Sequence, residues 1–111
     1  MLYVLDDHTI RLTRGDTARL TVGIVNEFTG SDYVVGDGDI LTLTVKKKVN
    51  DSVPIISKAI TGSSTFLIEP SDTESLDFTK YKYDVQLTTE GGEVYTVIEP
   101  SVFEIMPEVT Y

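Results

Sequence analysis

The side chains able to do chemistry are few, and their spacing does not gather them. His8 is the single histidine and stands beside Asp6 and Asp7. That trio could hold a metal ion, but a solvated N-terminal segment accounts for it without one. There is no cysteine, hence no thiolate nucleophile and no disulfide framework. A serine nucleophile needs a base beside it and a turn to expose it, and no Gly-x-Ser-x-Gly elbow occurs. Asp32, Asp37 and Asp39 share a stretch with Gly30, Gly36 and Gly38. Calcium favours several oxygens from one such loop, yet the spacing is not that of an EF-hand and no glutamate closes the loop. Turn formation explains these residues. Glu69, Asp72 and Glu74 form a second acidic group, and Glu90 and Glu93 a third. Glycoside hydrolysis needs two carboxyls about 5 to 10 Å apart across a cleft, whereas these acids are spread over turns and read as a solvated surface. Arg14-Gly15-Asp16 is an integrin-recognition tripeptide by its letters, but Gly and Asp also have a plain turn role there. No catalytic residue, metal ligand or cofactor is assigned, and no enzyme activity is expected.

The elements that carry these residues are strands. Tyr81, Tyr83, Val85 and Leu87 alternate with Lys82, Asp84, Gln86 and Thr88, the period-two pattern of a strand with one buried face. Glu90-Gly91-Gly92-Glu93 follows as a turn in which glycine takes positive φ without a clash. Val94 to Ile98 returns as the partner strand, rich in β-branched and aromatic residues. Upstream, Thr9–Arg14 places Ile10 and Leu12 on one side, and Thr17–Asn26 turns Ala18, Leu20, Val22 and Ile24 inward. The turn-rich loop from Glu27 to Asp39 leaves room for a short strand at Tyr33-Val34-Val35. Ile40–Lys47 buries Leu41, Leu43 and Val45, and Ile55–Ile60 and Ser64–Ile68 read as two more strands. Pro70–Phe78 is the one helical candidate, with Ser71 or Asp72 as its cap and Glu74 reaching back. Pro100 removes a ladder donor, so a bulge or bend is expected before the strand resumes at Val102–Met106.

About seven or eight short strands with regular turn signals describe an antiparallel β-sandwich or barrel. Tyr81 follows a short crossing segment at a strand start. A tyrosine there pins the corner of Greek-key sandwiches by hydrogen-bonding back to upstream backbone, so Tyr81 is expected to be structural. The organisation expected is an N-terminal extension over 1–8, one domain over 9–106 and a tail over 107–111.

Composition bounds the partners. The chain of 111 residues carries 18 acidic and 9 basic residues, a net charge of −9. That argues against nucleic acid, whose phosphates need clustered Lys and Arg. Lys46-Lys47-Lys48 is the one basic run, read as the solvated end of a strand. No apolar run approaches a membrane span, so no membrane partner is expected. Met1–Leu5 is followed directly by Asp6 and Asp7 and lacks the form of a signal peptide.

The order Thr13-Arg14-Gly15-Asp16-Thr17, Ile40–Val45, Tyr81–Leu87, a glycine turn, Val94–Val97 and Val102–Ile105 resembles the N-terminal domain of the phage upper baseplate protein family. The resemblance spans roughly residues 9–106. It implies an Ig-like β-sandwich that docks into a virion assembly, with other virion proteins as partners and no catalytic residues. It places the chain in the virion, made in the bacterial host cytoplasm. Family members usually continue beyond this domain. Homo-oligomer formation is a further expectation, with strand edges and the Glu27–Asp39 loop as contact surfaces. Phe28, Tyr33, Val34 and Tyr95 are the candidate contacts. The alternative is a carbohydrate- or cell-surface-binding sandwich, for which Tyr33 and Tyr95 would have to share one exposed face.

Overall fold

The computed structural model describes the backbone of residues 2–4 and residues 8–25 and 29–107 in full. Its strands are β1 (Leu2–Val4), β2 (Ile10–Thr13), β3 (Ala18–Thr21), β4 (Ile40–Lys46), β5 (Ile56–Thr61), β6 (Thr65–Ile68), β7 (Lys80–Thr88) and β8 (Val94–Met106). One helical turn, α1 (Pro70–Thr73), joins β6 to β7. Six strands form a mixed sheet in the order β1-β2-β8-β7-β4-β5, and β3 and β6 form a second, smaller sheet. The chain therefore changes sheet at β2–β3, β3–β4, β5–β6 and β6–β7. The β4–β5 and β7–β8 connections are hairpins within the large sheet.

Alternation sets which side chains enter the core between the sheets. Ala18, Leu20, Phe66 and Ile68 come from the small sheet, and Leu41, Leu43, Val45, Val85, Leu87, Phe103 and Ile105 from the large one. Tyr83 and Phe103 meet edge to face, with ring centroids 6.0 Å apart, an arrangement favoured by the ring quadrupoles.

The expected antiparallel pairing does not hold throughout. β2 runs parallel to β8, with Ile10 opposite Phe103 and Thr13 opposite Met106. Parallel neighbours need a long crossover, and here nearly the whole domain lies between them. Alternation reports burial and is blind to strand direction. Three local expectations also change. Tyr33-Val34-Val35 is not a strand; an isolated bridge, Val25 to Asp32, ties this loop back to the chain leaving β3. The strand expected over Thr17–Asn26 ends at Thr21, opposite Thr65 at the start of β6, with one further backbone bond from Val22 N–H to Ser64 O at 2.8 Å. At α1 the N-cap is Glu69 rather than Ser71 or Asp72, and the Asp72 carboxylate reaches back to accept the Glu69 N–H at 2.8 Å.

The bulge expected near Pro100 falls inside one continuous β8. Its register against β7 slips between Tyr83–Ser101 and Val85–Ile98, so the proline sits where the ladder is already interrupted. Leu2–Val4, within the segment read as an extension, lies antiparallel on β2 as the outermost strand of the large sheet. No helix among the described residues is long and apolar enough to cross a membrane.

The end of the domain holding the β2–β3 turn is tied by polar contacts. Gly15 N–H donates to the buried Thr73 hydroxyl at 2.9 Å. The Arg14 guanidinium lies 4.1 Å above the Phe78 ring. The Tyr81 hydroxyl accepts from Asp77 N–H at 3.1 Å and donates to Asp77 O at 3.3 Å.

Candidate functional site: a groove at the loop end

The opposite end gathers the β3–β4, β5–β6 and β7–β8 connections, and two glycines set how closely they approach. Gly62 adopts φ +64 beside Asp37 of the β3–β4 loop, and a Cβ there would lie 3.2 Å from the Asp37 carboxylate. At Gly38 a Cβ would fall 2.6 Å from the Glu90 side chain. The β7–β8 turn folds on itself through Thr89: its N–H donates to Glu93 O at 2.8 Å and its hydroxyl accepts from Glu93 N–H at 3.1 Å.

Asp39 is the joint between these loops. Its carboxylate accepts from the Tyr33 hydroxyl at 2.5 Å, from Gly36 N–H at 3.0 Å and from Glu90 N–H at 3.0 Å. The Tyr33 bond and then the Gly36 amide hold this carboxyl below the usual aspartate value; burial opposes them, and the Glu90 amide adds the smallest lowering effect. The same bond, burial and the Asp39 charge raise the Tyr33 phenol. Tyr95 donates to the Glu93 carboxylate, and that bond and charge raise the Tyr95 phenol too. Each tyrosine is thereby tied to a carboxylate, and the carboxylates order the loops.

A groove of about 480 Å³ opens between the chain leaving β3 and the start of β8. Ile24, Val25, Tyr33, Leu87, Glu93, Tyr95 and Val97 line it. Tyr95 stands opposite the buried Leu87 on β7, so both belong to the core-facing side of the sheet. Tyr95 is nevertheless 50% exposed, because β3 and β6 end before they cover it. Val34, beside Tyr33, is 83% exposed.

Of the candidate contacts, Tyr33 and Tyr95 meet at this groove and Val34 stands next to it, while Phe28 lies outside the described residues. Tyr81 is at the opposite end, on the Asp77 backbone. In the sequence Asp39 reads as a turn residue, and its role as a joint between loops appears only in the fold. A glycine three residues ahead of it was the available signal, since a short carboxylate can close such a turn onto backbone N–H. Its contact with Glu90 N–H, 51 residues away, left no local signal. Asp32 and Asp37 do not join Asp39 around a common point. Among the described residues no three His, Cys, Asp or Glu side chains gather as metal ligands. His8 has φ +67, and its carbonyl accepts from the Tyr83 hydroxyl at 2.5 Å; Asp6 and Asp7 lie outside the described residues.

What the arrangement offers is an aromatic and aliphatic groove with Glu93 in its lining and Glu90 on the same β7–β8 turn. Comparison with family models, with curated proteins and with solved structures gives no match to this chain.

Proposed function

We propose that this protein is a non-enzymatic structural module of a phage or prophage virion, an Ig-like β-sandwich that joins a tail or baseplate by protein–protein contact. The observation that carries the reading is the loop-end groove, with Val25 at 58%, Val34 at 83% and Tyr95 at 50% exposure around a pinned loop framework. Clustered exposed apolar side chains on a small domain gain by burial in a partner. The Ig-like description is supported by β3 and β6 set against the sheet of β2, β8, β7, β4 and β5, and by the corner at Tyr81. The resemblance over residues 9–106 supplies the virion setting.

Loops suit this role better than the β5 edge does. Lys58 alternates with Ile56 and Ile60 on the core side of β5, and its Nζ lies 2.7 Å from Asp72 on α1. An inward-pointing charge on an edge strand discourages addition of another strand.

The test is cross-linking mass spectrometry on sedimented particles from a lysogen carrying this gene. The expected result is the chain recovered in the particles with cross-links from residues 29–39 or 89–97 to tail proteins. Absence from the particles would overturn the reading. The shared border of Tyr33 and Tyr95 on one groove favours a second reading, a carbohydrate-binding module. Glycan-array binding that disappears in Tyr95→Ala would establish it in place of the first.

A further inference from the structure

The charge of the molecule is unevenly placed. The loops at the groove end (residues 22–25, 29–39, 62–64 and 89–93) include Asp32, Asp37, Asp39, Glu90 and Glu93 and contain no Lys, Arg or His. All nine basic residues lie elsewhere. The densest group, Lys46, Lys47 and Lys48, enters the β4–β5 connection, at the end of β4 away from the groove. That connection also exposes apolar side chains: Val49 is 56% and Val53 73% exposed. It is a shaped turn, because the Asp51 carboxylate accepts Lys48 N–H at 3.0 Å and Asp51 N–H donates to Lys48 O at 3.0 Å.

One end is thus an apolar groove set among acidic loops, and the other is a projecting turn with exposed valines and a basic run. The two are complementary in polarity and in charge. We propose that the groove of one copy receives the 47–53 turn of a second copy, so that the chains associate head to tail. This rests on the assembly reading above and names the surface and the partner. The contact is heterologous, using different patches on the two copies, and such contacts propagate into rings or filaments. Val49 and Val53 meet Tyr33, Tyr95 and Val97, while Lys47 and Lys48 face Glu90 and Glu93. The net charge of −9 opposes association only weakly at physiological salt. Screening there acts over about 8 Å, while the molecule is 45 Å in its longest dimension. The local pairing of opposite charges, rather than the total, then sets the contact and its register.

The experiment uses light scattering on the purified full chain across a concentration series. It compares wild type with Lys47→Glu/Lys48→Glu and with Glu90→Lys/Glu93→Lys, all at exposed positions, with circular dichroism to verify that each is folded. Wild type is expected to grow in mass with concentration beyond a dimer. Each variant alone is expected to be monomeric at concentrations at least tenfold higher. The decisive arm mixes Lys47→Glu/Lys48→Glu with wild type and with the other variant. The first variant keeps an intact groove but a reversed turn, so it terminates wild-type chains. Between the two variants the reversed turn of the first fits the reversed groove of the second, and the native turn of the second fits the native groove of the first, so a 1:1 mixture regains growth beyond a dimer with the variants in alternation. A monomeric wild type, association that survives either reversal, or a variant mixture that stays monomeric overturns the proposal. A monomeric chain still found cross-linked in particles would reject head-to-tail association and leave the assembly reading standing.

Discussion

Replacing Tyr81 with phenylalanine removes one oxygen from a ring that is 5% exposed. The lost hydroxyl makes two hydrogen bonds to the Asp77 backbone, at 3.1 and 3.3 Å. A net contribution of about 0.5–1.5 kcal/mol per bond is usual. Both bonds here are on the long side, and Asp77 is exposed, so water can replace the lost partner. The expected cost is therefore about 1–2 kcal/mol for the pair. Urea unfolding reads this directly: with a slope near 1.5 kcal/mol/M, the midpoint falls by about 1 M while the slope stays unchanged. Tyr81→Ala also removes the ring from the core and is expected to cost about 3–5 kcal/mol, on the scale of large aromatic truncations. The gap between the two variants separates the corner bonds from packing. A Tyr81→Phe midpoint equal to wild type would refute the corner argument, and a changed slope would mean that the comparison no longer concerns the same two states.

Four further outcomes follow from contacts described above. Asp39 has a folded-state pKa below its ordinary value of 3.8, so its contribution is complete above that pH and is lost as pH falls through the lower folded value; urea midpoints measured from about pH 5 down to about pH 2 should converge for wild type and Asp39→Asn. Phe66 is fully buried between the sheets, and Phe66→Ala should lower stability by about 3–5 kcal/mol in the same assay. Arg14 rests on Phe78, so Arg14→Ala should cost about 0.5–1 kcal/mol, and purified integrin should show no binding to the wild-type domain by surface plasmon resonance, because the tripeptide is folded into the β2–β3 turn.

Much of the fold was legible because burial imposes a period. Ile10 and Leu12, Leu41, Leu43 and Val45, and Tyr81, Tyr83, Val85 and Leu87 were assigned to the core from alternation, and each is buried. The strand at Tyr33–Val35 failed because β propensity at three residues does not supply a partner, and Asp39 holds Tyr33 in a loop instead. The parallel pairing of β2 and β8 was invisible, since a strand buried on one face shows the same alternation whichever way its neighbour runs.

The sequence by itself determined a β-rich chain with alternating core positions, turns at its glycines and an acidic surface, because each of these depends on near neighbours along the chain. The tertiary structure decided what Asp39 does, how Thr73 meets Gly15, and that Tyr33 and Tyr95 share a groove at an end with no basic residue in its loops. These follow from pairs 51, 58 and 62 residues apart. Contacts at such separations are fixed by how the sheets pack and where the small sheet stops, and neither leaves a local pattern to read.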